Sequence, residues 1–203
     1  EKIYSENPFL SPTYITGGYP PHEMQNPFFL ARKYKAEDIR ELMLPDGLEL
    51  IELPGHNFHM VGVRTDDDVV FLADSIFSMH MLRKYHINFM FDVPAFSRTL
   101  DEIGKMQAAL FIPAHAEPQT DIRPLAVANK DEIAKNIINF CEHPITYDEL
   151  IRKLFDEYGR RLDMQQYYLV GFTIRSYLSW LKSKGSIQTL FEDNMLCWRS
   201  WHA

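Results

Sequence analysis

Three short apolar runs in the first 120 residues constrain the fold more than anything else in this chain. Each runs into a residue able to hold a metal ion. LELIEL (48–53) leads into Pro54-Gly55-His56, VVFLA (69–73) into Asp74, and ALFIP (109–113) into Ala114-His115. VVFLA is almost wholly apolar, as expected of a strand covered on both faces. Between the runs lie helical candidates at 77–86 and 94–108. In the second, Phe96, Leu100, Ile103 and Met106 recur at helical spacing. Strands alternating with helices predict a layered α/β architecture, in which loops converge and sites form at strand ends.

The rest of the first 122 residues reads around these runs. KIYS (2–5) looks like a short strand. Residues 8–21, with four prolines and Gly17-Gly18, read as a loop. His22–Lys33 reads as a short helix, Met60–Arg64 as a strand, and Asp66-Asp67-Asp68 as a solvated hairpin turn. From about Arg123 the strands stop. Pro124–Glu142 reads as one amphipathic helix. Thr146 with Glu149 forms the pattern of a capping box for a second. A third is capped by Asp163 and stopped by Gly185. Its Leu169, Phe172, Tyr177 and Leu181 lie on or near one stripe. Ile187–Leu190 and Met195–Trp198 then read as a small hairpin. Helices followed by a hairpin outline a winged-helix-like module. The division expected is therefore 1–122 and 123–203.

Two imidazoles and a carboxylate are a borderline donor set, suited to zinc, iron or manganese. PGHNFHMVGV, FLADSIF and FIPAHAEP, in this order and spacing, resemble the second half of the metallo-β-lactamase fold, with its PGHTPGH-like, TGD-like and PGHG-like turns. The resemblance covers about residues 1–120. It implies an α/β (α+β) chain: part of an αββα sandwich followed by the winged-helix-like segment. It also implies a metal-dependent hydrolase of ester, thioester, lactone, amide or phosphodiester bonds, using one or two divalent ions, zinc first, with iron or manganese as alternatives. By position, His56 resembles a ligand of the first metal, Asp74 the bridging aspartate that also orients the attacking hydroxide, and His115 a ligand of the second metal. His59 matches no ligand position and is a candidate for contact with a small-molecule substrate, or a plain loop residue. Asn57, Phe58-His59, Leu72-Ala73 and Ala114 depart from the family pattern without touching the ligands.

The HxHxDH cluster that supplies the family's other ligands does not occur in these 203 residues. The chain thus resembles such a domain from just after that segment, truncated, and is expected to bind metal weakly and to be inactive alone. The sheet edge and apolar face so exposed would be covered by a homodimer or by the missing N-terminal segment.

Composition narrows the partners. A net charge of -7 argues against a chain built to coat nucleic acid or anionic membrane. Residues 144–203 hold 8 Lys and Arg against 7 Asp and Glu, short of a nucleic-acid footprint. No apolar stretch is long enough to span a membrane. Cys141 and Cys197 stand apart, which fits a reducing cytoplasm. The other class of reading is a non-enzymatic binding or assembly module, with the winged helix making protein or nucleic-acid contacts.

Overall fold

The computed structural model describes residues 10–30, 37–130 and 132–201. The expected strand at 2–5 lies outside them. The main sheet has four strands: β1 (Leu48–Glu52), β2 (Val61–Thr65), β3 (Val69–Phe77) and β4 (Leu110–His115), in the order β1-β2-β3-β4. β1 and β3 each run antiparallel to β2, and β4 runs parallel to β3. So β1, β3 and β4 point the same way, and their C-terminal halves share one end of the sheet. The Asp66–Asp68 turn between β2 and β3 is tied down by its last residue. The Asp68 carboxylate pairs with Arg64 and accepts the Ala109 N–H at 2.9 Å, joining the turn to the start of β4.

Two of the helices, the third and fourth, pack on β3 of this sheet. α1 (Leu10–Thr16) comes first, then α2 (Met79–Tyr85), α3 (Val93–Ile103), α4 (Arg123–Ala128) and α5 (Ile133–Phe140). α2 starts on the Ser78 side chain and α3 on that of Asp92. The buried residues of α3, among them Phe96, Leu100 and Ile103, meet the buried face of β3, Val70, Leu72 and Ile76. The short strand β5 (Ile145–Thr146) leads into α6 (Tyr147–Glu157), then α7 (Met164–Ser183) and the hairpin β6 (Ile187–Glu192) and β7 (Met195–Ser200). The second sheet has the order β5-β7-β6. Thr146 and Glu149 form the full capping box, Asp163 caps α7, and Gly185 follows it at φ 72°. One apolar core runs without a break from Val70 on the first sheet to Ile187 on the second. Among the described residues no helix is long and apolar enough to cross a membrane.

Several elements differ from the sequence expectation. The proline-rich loop contains α1. Pro12 sits in its first turn, where the backbone N–H has no helical partner to lose. In its described part, the helix expected at His22–Lys33 is a single 3-10 turn, His22–Met24. The helix expected over 124–142 is two, α4 and α5. Between them the buried Asn129 side chain turns away to bond both backbone groups of Phe77 and the Leu125 carbonyl. An asparagine that competes for backbone partners in this way favours a break over a continuing turn.

Candidate metal-ligating site

His56 sits in the loop 54–59 that joins β1 to β2. The loop is pinned from both sides. The Gly55 carbonyl accepts from the N–H groups of Phe91 and Asp92 at 3.0 Å each, and the Pro54 carbonyl accepts from Thr99 Oγ1 at 2.7 Å. Gly55 has φ 137°, and a Cβ there would lie 2.4 Å from the Phe96 Cα. Only glycine allows both that torsion and that approach. Beyond this turn, His56 Nδ1 donates to the Phe89 carbonyl at 2.7 Å, which directs Nε2 at Asp74, 3.9 Å away. A backbone carbonyl that fixes the tautomer and the ring in this way is the usual outer support of a metal-binding histidine.

Asp74 is not at the end of a strand. β3 continues to Phe77, but its pairing with β4 breaks register between Phe71 and Ala73 and again between Ala73 and Phe77. At the break Ala73 has φ 49°, in the left-handed region that an alanine seldom occupies. This irregularity turns the Asp74 carboxylate toward the site, as bulges next to functional residues do. His115, the last residue of β4, is exposed and places Nε2 3.0 Å from Asp74 Oδ1. The three residues singled out in the sequence therefore meet, with Asp74 between the imidazoles.

The donor chemistry fits a divalent cation. Asp74 Oδ1 is buried and receives no hydrogen bond of acceptable geometry; a cation would satisfy it. When neutral, with its proton on Nδ1, His56 turns a lone pair toward the carboxylate, an arrangement that a cation between the two would relieve. The number of donors falls short. Among the described residues no group of three or more His, Cys, Asp and Glu side chains is arranged to hold an ion. The contacts are two pairs sharing Asp74, not a closed shell. Cysteine adds nothing: Cys141 and Cys197 are buried, and burial pushes the Cys141 thiol up to about 12, so it stays protonated.

The trio opens into a cavity of about 320 Å³. Asn57 lines it. His59 does not: it is exposed, its N–H donates to Asn57 Oδ1, and its carbonyl accepts from Arg40. Part of the wall comes from far along the chain, at Leu169 of α7. The same helix braces the support of His56. Thr173 Oγ1 accepts from the Met90 N–H at 2.9 Å and Ser176 Oγ from the Val93 N–H at 3.1 Å, one and four residues after Phe89. Nothing in the sequence pattern marks the Phe89 carbonyl, a backbone group. Leu169 was visible only as one more apolar residue of a stripe.

No family model and no curated protein matches the chain by sequence. Solved structures do. A β-lactamase domain protein from Burkholderia ambifaria matches with a TM-score of 0.61 at 15% identity, over 84% of this chain and 52% of that one. A metallo-β-lactamase family protein from Thermus thermophilus matches with a TM-score of 0.61 at 19% identity, over 91% of this chain and 56% of that one. The chain shares the fold of part of these structures. At these identities the fold is what is shared, and the chain spans about half the length of either structure. The match extends past residue 122, since 91% coverage of 203 residues requires it.

Proposed function

We propose that the protein is a metal-dependent hydrolase in which His56, Asp74 and His115 supply part of the ligand set, with zinc the first candidate. One observation carries the reading: a carboxylate with a buried, unsatisfied oxygen stands between two imidazoles, at one end of three co-directional strands in a metallo-β-lactamase fold. When bound, the ion would polarise the scissile group and lower the pKa of a bound water. The chain's own part is to hold. The Phe89 carbonyl orients His56, the irregular β3 presents Asp74, and β4 delivers His115. Catalytic zinc usually has three protein ligands and an open position, so the reading requires ligands beyond these three for tight binding.

A zinc titration tests this, followed by calorimetry or by competition with a chromophoric chelator. The 203-residue chain should bind zinc weakly, and Asp74→Ala should weaken binding at least tenfold, because it removes the donor common to both contacts. His56→Ala and His115→Ala should each do less. Zinc binding that is indifferent to Asp74 would overturn the assignment.

In this reading residues 1–122 form the catalytic part and 123–203 a winged-helix-like appendage, supported by the order α5-β5-α6-α7-β6-β7 and the three-stranded second sheet. The two unpaired cysteines favour the cytoplasm. A second reading, an assembly module, draws on the exposed Phe191, Met195, Leu196 and Trp201 on and beside the hairpin.

A further inference from the structure

We infer that the cavity over Asp74 is shaped for an uncharged substrate whose reacting group carries an apolar acyl or aryl arm, and that Leu169 of α7 sets how that arm fits. As a statement of substrate class this rests on the hydrolase reading; as a statement about the cavity it stands alone. The polar groups converge on one side, at His56, Asp74 and His115. Apart from Ser11 and Asn57, neither of which is charged, the rest of the lining is apolar, built from Ile15 of α1, Phe28 and Phe29, Phe89 and Phe91, and Leu169. A few polar groups at the reacting end and an apolar remainder are what a small-molecule site needs.

Charge separates the ester class from the phosphodiester class. Among the described residues no Lys or Arg lines the cavity, and its only carboxylate is Asp74. Phosphodiester recognition relies on Arg and Lys contacts to the phosphate oxygens. Among the described residues this wall offers a chain of phosphates nothing of the kind, whereas a neutral ester, thioester or lactone leaves its apolar arm against matching surface.

The apolar wall is a separate second cluster and not an edge of the main core. The buried stripe of α7 that joins the main core is Val170, Ile174, Tyr177, Leu178 and Leu181. Leu169 and Phe172 lie off that stripe and pack with a separate group centred on Ile15, Met24 and Phe29. Phe172 locks Phe89 and Phe91 in place through ring contacts at 5.7 and 5.1 Å between centroids. Rings held in this way give a pocket of fixed width, and Leu169, half-buried beside them, is the adjustable position.

Equilibrium binding of the neutral fluorophore N-phenyl-1-naphthylamine, with alkan-2-ones as competitors, reads the cavity without any metal. Affinity of the ketones should rise from five to nine carbons by about fourfold per buried methylene until the cavity is filled. Benzophenone should compete at least tenfold better than diphenyl phosphate. Leu169→Asp should weaken the fluorophore at least tenfold. Leu169→Ala, which keeps the wall apolar, should move the preferred ketone to a longer chain, a shift that general loss of structure would not produce. A flat chain-length series, a diphenyl phosphate that competes as well as benzophenone, or an unchanged length preference in Leu169→Ala would each overturn the inference. The zinc titration is read separately: if zinc ignores Asp74 while the ketone series behaves as stated, the hydrolase reading falls and the apolar cavity remains.

Discussion

The turns that present His56 and Asp74 do the same job with different residues. Each must aim a side chain at the open end of the sheet, and each needs a backbone conformation with φ above zero nearby. Beside His56 the residue is Gly55, at φ 137°. Beside Asp74 it is Ala73, at φ 49°. The first turn carries no torsional cost and is braced by hydrogen bonds from Phe91, Asp92 and Thr99 and by the close approach of Phe96. The second lies in a strand whose ladder is broken on both sides. So the site joins an imidazole on a braced turn to a carboxylate that follows a left-handed alanine in a broken ladder. Strain that persists beside a candidate ligand points to a constraint stronger than local preference.

The contrast between the two turns breaks most visibly at Gly55. Gly55→Ala adds a Cβ 2.4 Å from the Phe96 Cα and 2.5 Å from the Phe96 N. Backbone, unlike the tip of a side chain, cannot swing aside. Overpacking together with an unfavourable φ should cost about 3 kcal/mol or more. Urea unfolding would measure it, and a loss under about 1 kcal/mol would show that the loop is not pinned against α3.

The next effect tests the bracing of His56 from the C-terminal helix. Thr173 is fully buried and its hydroxyl satisfies the Met90 N–H. Thr173→Val keeps the shape and orphans that donor, at about 1–3 kcal/mol. It should also loosen the Phe89 carbonyl and weaken zinc binding by roughly tenfold, the usual scale of an outer-shell loss. If stability falls and zinc affinity does not, the helix supports the fold alone.

How much of this was legible in the sequence varies with the range of the interaction. The apolar runs marked β1, β3 and β4, because a strand is a local event. The caps at Thr146 and Asp163 were legible for the same reason. Asp74 reads from the sequence as following its strand, yet β3 runs on to Phe77, and the bulge that turns it is set by pairing with β4. The helix at Leu10–Thr16 was hidden, because prolines read as loop unless one knows that Pro12 falls in a first turn. The break at Asn129 was hidden because its cause, Phe77, lies 52 residues away. The cavity wall was the least legible part. Helical spacing shows that Leu169 and Phe172 are on a face, but not that this face meets Ile15 and Phe89 instead of the main core. His59 drew attention as a histidine, yet Asn57 is the loop residue that lines the cavity beside His56.

The smallest effect is the one that decides whether Ala73 is strained at all. An alanine in the left-handed region gives up about 1–2 kcal/mol. Replacing it with glycine recovers that, loses about 0.5–1 kcal/mol to the greater freedom of the unfolded chain, and forgoes part of one methyl's burial, since Ala73 is packed in part against the core. Ala73→Gly should therefore be neutral to stabilising by up to about 1 kcal/mol, a rise of at most about 2–4 °C in Tm. The proper control is Ala95→Gly in α3, a buried alanine in a regular helix, which should cost about 1 kcal/mol. The difference between the two variants removes the unfolded-chain term common to every Ala→Gly change and leaves the torsion together with the difference in methyl burial. If Ala73→Gly costs as much as Ala95→Gly, the bulge at Asp74 stores no strain, and the two turns differ in sequence only.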